Sequence, residues 1–191
     1  MGILKKTKEQ MMRHQHEAKL VMLARQILFL FIAFAIVTSS AQAADISREQ
    51  KIKAAYIYNL VKLVEWPNLN SDILNVCILE NSSMLAAANS VQGKTVAGRK
   101  LEVREVKNSE VKQNCNILYF STPQQVEILQ NIEGLPILTM GDIGGFANKG
   151  GIIHLFVDSN KIRFEINEKV ATVNGLIIDS KLLELANNVI R

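Results

Sequence analysis

The sequence contains few of the residues that build common metal and redox sites. Among 191 residues there are two cysteines, three histidines, three prolines and one tryptophan. His14 and His16 lie close to the N-terminus, so His154 is the only histidine in the rest of the chain. A catalytic or structural zinc site built from several histidines needs ligands that this chain does not have. We therefore exclude multi-histidine metal sites and expect no cofactor.

The sequence also lacks the short motifs that accompany frequent enzyme chemistries. It has no GxSxG, HExxH, P-loop or GxGxxG segment. A Ser/His/Asp triad would have to use His154, which lies in the strand-like segment IIHLF and is more readily a structural residue. Several carboxylates could meet in space, although the sequence does not show that they do: Glu65, Asp142, Asp158, Glu165 and Glu168. We predict that the protein is not an enzyme.

The excess of positive over negative charge is confined to the N-terminal part of the chain. Residues 1–43 hold six Lys/Arg against two Asp/Glu, whereas residues 44–191 hold sixteen of each. A neutral body attracts phosphate backbones weakly, because nucleic-acid binding draws most of its affinity from basic surface. The charge distribution therefore argues against nucleic acid as a partner.

An apolar segment near the N-terminus predicts export. Residues 27–37 form eleven apolar residues without interruption, preceded by Arg25. A helix needs roughly 20 apolar residues to span a bilayer, so this segment is typical of a signal peptide. The small residues Ala41 and Ala43 predict cleavage after Ala43, which makes residues 1–43 the signal peptide.

Two details of this leader stay open. The region before the apolar segment is long, so either Met1 or Met22 is the start of the protein. The alternative to cleavage is that the leader is kept as an N-terminal anchor. In both cases the rest of the chain is exported.

The two cysteines, Cys77 and Cys115, both lie in the exported part. In an oxidising compartment an even pair is more readily a disulfide than a metal site, and no CxxC motif or Cys/His cluster supports a metal. The alternative is two thiols that are buried separately.

Residue patterns after the leader predict alternating helices and strands. Ser47 and Gln50 form a capping-box pattern, and apolar residues then recur at helical spacing as far as Trp66-Pro67. Short apolar or alternating runs predict strands, and turn residues separate them. In chain order we predict a first helix to residue 66, a strand at 73–79, a helix at 83–91, a loop at 93–98, strands at 101–106 and 116–120, a helix at 123–132, strands at 136–140, 152–157 and 161–166, a short helix to residue 174 and a last helix at 180–189.

This order of elements predicts an α/β fold. Helices between strands indicate a mixed, largely parallel sheet with helices on both faces, which is Rossmann-like. The turn Asp158-Ser159-Asn160 predicts a C-terminal antiparallel hairpin. Because there is no linker rich in Pro, Gly or Ser, we predict that residues 44–191 form a single domain.

Three stretches together resemble a known family. The helix KAAYIYNLVKLVEWP at residues 53–67, the cysteine pair, and the tail at residues 144–186 with its segment RFEIN and its later SKLL are similar to the YfiR family of exported bacterial proteins. The resemblance spans nearly all of the chain after the leader. It implies that Cys77 and Cys115 form the structural disulfide of the family.

The same resemblance implies a periplasmic regulator rather than an enzyme. Such proteins bind the periplasmic sensor region of a YfiN-like inner-membrane diguanylate cyclase and repress it, which keeps cyclic di-GMP low. The family is also associated with dimer formation and with redox sensitivity. Some members carry a second cysteine pair near the glycine loop, where this chain has Ala147, Asn148 and His154. Redox switching through that second pair is therefore not expected here.

The resemblance also suggests residues that contact the partner. The hairpin and the residues after it are dense in family-like positions, from which we take Phe164, Glu165, Asn167 and Ile177, with Glu65 and Trp66 as a second group. Core packing is the alternative role for each of them. The alternative function is a small-ligand-binding module that uses the crevice beyond the carboxyl ends of the strands.

Overall fold

A computed structural model describes residues 46–191. The predicted signal peptide, its cleavage after Ala43 and the choice between Met1 and Met22 lie outside these residues. Within residues 46–191 no helix is both long enough and apolar enough to cross a bilayer.

The first helix, α1, spans Arg48–Val61 and begins as predicted. The Ser47 side chain accepts a hydrogen bond from the Gln50 backbone, and the Gln50 side chain accepts one from the Ser47 backbone. The prediction that this helix extends to residue 66 is wrong. Strand β1 (Val64–Glu65) follows instead, and Pro67 disfavours helical geometry in the residue before it.

Ten strands and six α-helices make up the described chain. After β1 the strands are β2 (Ile73–Leu79), β3 (Thr95–Val96), β4 (Arg99–Val106), β5 (Ile117–Phe120), β6 (Leu138–Gly141), β7 (Ile153–Asp158), β8 (Lys161–Asn167), β9 (Ile177–Ile178) and β10 (Asn188–Ile190). After α1 the helices are α2 (Ser82–Ala88), α3 (Val111–Asn114), α4 (Ile128–Asn131), α5 (Glu168–Val173) and α6 (Ser180–Leu185).

The main sheet has eight strands in the order β10-β8-β7-β6-β5-β2-β4-β3. Strands β4, β2, β5, β6 and β7 run parallel, and β8 returns antiparallel to β7 through the predicted hairpin. The predicted α/β class with a mixed, largely parallel sheet is confirmed. Because the chain passes from β2 to β4 on one side and then to β5 on the other, the strand order reverses between β2 and β5.

Helices cover both faces of this sheet, and the sheet divides the core into two clusters. Ile57, Val76 and Tyr119 belong to one apolar cluster, under α1 and α2. Leu118 and Phe146 belong to the other, on the face of α3 and α4. Alternate residues of a strand point to opposite faces, which is why Leu118 and Tyr119 separate.

The disulfide joins Cys77 and Cys115, with their Cα atoms 5.7 Å apart. Cys77 lies in β2 and Cys115 just before β5, and these strands are neighbours in the sheet. The predicted bridge therefore connects two central strands within the second core cluster.

Further boundaries differ from the predictions. The helix predicted at 123–132 is a 3-10 helix over Pro123–Glu127 followed by α4, and α2 ends at Ala88 instead of residue 91. The last helix ends at Leu185, and residues 188 and 189, predicted as helix, belong to β10, which pairs parallel with β8. The predicted loop at 93–98 contains β3, which pairs antiparallel with the start of β4. Strand β10 pairs with a strand distant in sequence and β3 with the next strand. In both places this pairing overrides the local pattern.

The glycine-rich loop after β6 packs closely against the second core cluster. Phe146 is fully buried, and its ring centroid lies 5.1 Å from that of Phe120. A Cβ atom on Gly151 would lie 2.1 Å from the Phe146 ring, whereas a Cβ on Gly144 would meet no heavy atom within 4 Å. Position 151 therefore requires glycine, because any Cβ atom there would clash with the buried Phe146 ring.

The outer strands of the main sheet are its shortest. Strand β3 covers only the first residues of β4, and β10 covers only the last three residues of β8. The uncovered part of β4 carries Glu102, Arg104 and Glu105, and that of β8 carries Lys161 and Arg163.

Candidate functional site

Two of the residues proposed to contact a partner are exposed and adjacent. Strands β1 and β9 form a separate two-stranded antiparallel sheet, in which Glu65 pairs with Ile177. The Ile177 residue is 52% exposed although it is apolar. Two segments more than 100 residues apart in sequence thus present neighbouring side chains at the surface.

Three of the other candidates are buried. Trp66 and Phe164 belong to the first core cluster, where the Phe164 ring packs edge-on to Tyr56. Asn167 begins α5 by accepting a hydrogen bond from the Val170 backbone, and its amide donates one to the Ala147 carbonyl. In this conformation these three side chains position the surface and do not form it.

Replacing Trp66 tests this positioning role. The Trp66 indole N–H donates a hydrogen bond to the Pro136 carbonyl at 3.1 Å. Trp66→Phe removes the donor and leaves part of a buried site empty, so we expect the free energy of unfolding to fall by about 2 kcal/mol. Chemical denaturation of the purified protein measures this loss, and an unchanged unfolding midpoint would contradict it.

Glu165 is partly buried and pairs with the single histidine of the domain. Its carboxylate lies 3.2 Å from His154 Nδ1, and the two residues face each other across β7 and β8. The other carboxylates considered from the sequence find separate partners: Asp158 with Arg163, and Glu168 with Arg191. Asp142 and Glu165 therefore lie in different environments.

A second polar cluster lies at the carboxyl ends of the central strands. Asp142 directly follows β6 and Ser121 directly follows β5, while Asn81 begins α2 just after β2. Lys53 reaches this edge from α1. Together with Tyr119, Glu49, Gln50, Ser47 and Met84 these residues line a cavity of about 180 Å³, which we name the polar crevice.

The ammonium group of Lys53 binds two carboxylates in the polar crevice. It contacts Asp142 and lies 2.5 Å from Glu49, one helical turn earlier. Burial alone would lower the pKa of Lys53, but the hydrogen bonds and charges of Asp142 and Glu49 raise it above its usual value. Lys53 therefore stays charged although only 7% of it is exposed.

Two hydroxyl groups of the crevice have no protein partner. The Tyr119 hydroxyl and Ser121 Oγ are buried and form no hydrogen bond within the described part of the chain. Burial raises the pKa of Tyr119, and the charge and closeness of the Asp142 carboxylate and the charge of Glu49 raise it further, so the phenol stays protonated. The crevice therefore offers a neutral hydroxyl next to carboxylates.

The sequence indicates Asp142 only as one carboxylate among several, and it does not single out Lys53. The signal available was the position of Lys53, on the same face of α1 as the buried residues Ala54, Ile57 and Leu60. No group of acidic, histidine or cysteine side chains within residues 46–191 is arranged to hold a metal ion.

Comparisons with known proteins show the family. The model of the YfiR/HmsC-like family matches residues 50–187. Among solved structures, a conserved domain protein from Vibrio cholerae O1 biovar El Tor is similar with a TM-score of 0.47 and 12% identity over 73% of this chain. The ABC domain in complex with L-Trp from Streptococcus pneumonia gives a TM-score of 0.46 and 15% identity over 74% of this chain. The alignment covers 60% of the length of each of those two structures. The family match includes most of the described residues, and this chain belongs to the YfiR/HmsC-like family.

Proposed function

We propose that this protein is an exported periplasmic regulator that binds the periplasmic sensor region of an inner-membrane diguanylate cyclase and represses it. Membership of the YfiR/HmsC-like family supports a regulatory role. The observation that carries the proposal is the pairing of exposed Glu65 with exposed Ile177 on the small β1–β9 sheet. This pairing joins two of the three stretches that resemble the family, residues 53–67 and residues 144–186.

The surrounding surface has the character of an interaction site. Five large apolar side chains are exposed within residues 46–191, and three of them lie between residues 173 and 185: Val173, Ile177 and Leu185. Exposed apolar side chains mark sites that another protein covers when they form a continuous patch. Glu65 supplies a charge beside Ile177, which favours one orientation of the partner.

A repressor of this kind needs no reactive group. It acts by binding the inactive conformation of its partner more tightly than the active one, and it shifts the equilibrium only by that difference in affinity. The absence of catalytic motifs from the sequence is consistent with this mode of action.

Substitutions on the β1–β9 sheet test the proposal. We expect Ile177→Asp and Glu65→Lys each to weaken binding to the cyclase sensor region roughly 30-fold, because truncating or reversing a central interface residue costs about 2 kcal/mol. In cells that lack the native gene, wild-type protein should restore low cyclic di-GMP and the two variants should not. Cyclic di-GMP in extracts is the measurement.

The matched control is Glu127→Lys, which makes the same charge reversal at an exposed residue outside this surface. All three variants should melt within a few degrees of wild type. Deletion of the gene without any rise in cyclic di-GMP would refute control of a cyclase. Light scattering of the same variants distinguishes loss of repression from loss of a homodimer.

A second function, binding of a small ligand, is favoured by one specific observation. The polar crevice lies where the strand order reverses between β2 and β5, beyond the carboxyl ends of the strands. Open α/β sheets bind ligands at this position. The crevice and the β1–β9 sheet are built from different residues, so the two functions do not exclude one another.

A further inference from the structure

The polar crevice contains hydrogen-bonding groups that the protein leaves unused. Tyr119 is only 1% exposed, yet its hydroxyl, although close to the Asp142 carboxylate, forms no hydrogen bond of good geometry with the described residues, and neither does Ser121 Oγ. An unpaired buried polar group costs about 1–3 kcal/mol, so nearly all such groups in native proteins bind protein, water or ligand. Both residues line the same cavity.

The charges that line the crevice favour a cation. Glu49 and Asp142 carry two negative charges against the single positive charge of Lys53. The side chain of Lys53 is 9% exposed, compared with 23% for Asp142 and 51% for Glu49. The carboxylates therefore lie closer to solvent than the ammonium group, and an entering molecule meets net negative charge first.

The side chains that line the crevice and the volume of its cavity limit which cation can bind. The described residues hold no set of side chains suited to a metal ion, so an organic cation is the better match. A primary ammonium group donates three hydrogen bonds, which suits two carboxylates that each have free acceptor positions. A volume of about 180 Å³ is below the range of drug-sized pockets and admits a molecule of a few heavy atoms.

We propose that the polar crevice binds a small primary ammonium compound that also carries a hydroxyl group. The ammonium group lies against Asp142 and Glu49, and the hydroxyl of the ligand exchanges hydrogen bonds with Tyr119 and Ser121. The protonated phenol of Tyr119 is the donor in this arrangement, and Ser121 Oγ accepts or donates as required. This inference deepens the proposed small-ligand function and does not depend on control of a cyclase.

Ethanolamine is the smallest probe with both groups. We expect it to bind the purified protein with a Kd between about 0.1 and 10 mM, because a ligand of so few atoms cannot gain more. Titration followed by ¹H–¹⁵N spectra should shift the backbone amides of Ser121 and Asp142 first. Ethylene glycol lacks the charge and choline lacks the N–H donors, so each should bind at least tenfold more weakly.

Two substitutions connect the binding to the crevice. Tyr119→Phe removes only the hydroxyl and should weaken ethanolamine binding about fivefold, which is the effect of one hydrogen bond. Asp142→Asn should weaken it at least tenfold, because a hydrogen bond to a charged group is stronger. Tyr58→Phe makes the same change to a tyrosine of α1 that does not line the crevice, and it should leave the Kd unchanged.

Each result of these titrations either supports binding in the polar crevice or overturns it. If Asp142→Asn fails to fold, Tyr119→Phe alone still tests the site. Equal binding of ethanolamine and choline, equal affinity of Tyr119→Phe and wild type, or no shift of crevice amides at tens of millimolar ethanolamine would overturn the proposal. Because cyclic di-GMP is not measured here, failure of this site leaves the proposed cyclase control untouched, and the reverse also holds.

Discussion

Removing the disulfide through the double substitution Cys77→Ala/Cys115→Ala is expected to lower the free energy of unfolding by about 4 kcal/mol. The bridge spans 38 residues of sequence, and closing a loop of this length restricts the unfolded chain by about that amount in the chain-entropy treatment. For a domain of this size the melting temperature should fall by roughly 8–16 °C.

The reason for so large an effect is where the bridge lies. It connects β2 to the start of β5, and the chain between them includes α2, β3, β4 and α3. Without the bridge the unfolded chain gains freedom over this whole segment, while the folded protein loses only two sulfur atoms from a packed core. Differential scanning calorimetry of the purified variant gives both quantities.

Wild-type protein in a strong thiol reductant is the matched control. Once its bridge is reduced it should unfold at nearly the same temperature as the double variant, since both then lack the cross-link. If the oxidised protein, the reduced protein and the variant all melt together, the bridge contributes nothing to stability. The polar crevice lies on the opposite face of the sheet, so reduction should leave binding of ethanolamine to the folded protein unchanged.

Gly151→Ala is the second large effect that we expect, with a loss of about 3 kcal/mol of stability. The new methyl group would lie 2.1 Å from the Phe146 ring, far inside van der Waals contact. Phe146 is fully buried and packs against Phe120, so moving its ring would disturb the second core cluster. Overpacking of a rigid core costs this much because neighbouring side chains leave their preferred rotamers.

Gly144→Ala is the matched substitution in the same loop. A Cβ atom at Gly144 meets nothing within 4 Å, so stability should change by less than about 0.5 kcal/mol. Urea denaturation of the two variants side by side measures the difference. If Gly151→Ala and Gly144→Ala unfold at the same urea concentration, Phe146 is more mobile than its packing indicates.

Much of the fold follows from local sequence patterns. The capping box at Ser47 and Gln50 fixes the start of α1, and the turn at residues 158–160 fixes the β7–β8 hairpin, because both depend on neighbouring residues only. Buried parallel strands such as Ile73–Leu79 are recognised because an apolar run of that length needs cover on both faces. The disulfide was predictable for a different reason, because an exported chain with two cysteines more readily forms a bridge than a metal site.

The errors come from contacts between distant parts of the chain. Val64 continues the helical spacing of α1, but it pairs with Ile178 and becomes a strand residue. Val189 continues the spacing of α6, but it pairs with Ile166 in the main sheet. A local pattern cannot reveal a partner that is supplied from another part of the sequence, and a two- or three-residue strand has too little pattern of its own.

The candidate sites were also predictable only in part, because they too depend on contacts between distant parts of the chain. The resemblance directed attention to both Glu65 and Ile177, yet their pairing depends on the β1–β9 sheet. Lys53 was missed because a lysine in an amphipathic helix is usually a surface residue, and its burial depends on Asp142, 89 residues later. The environment of the Tyr119 hydroxyl is equally invisible in a sequence, since only the arrangement of its neighbours shows that it forms no hydrogen bond of good geometry within residues 46–191.

The short outer strands of the main sheet determine how other molecules recognise this protein. Two polypeptides can merge their sheets only where a long row of free backbone N–H and C=O groups faces outward. Here β3 and β10 offer two and three residues, and the uncovered parts of β4 and β8 carry charged side chains. Pairing of another strand with an edge of the main sheet is therefore disfavoured, and we expect concentrated solutions of the folded protein to resist growth into fibrils.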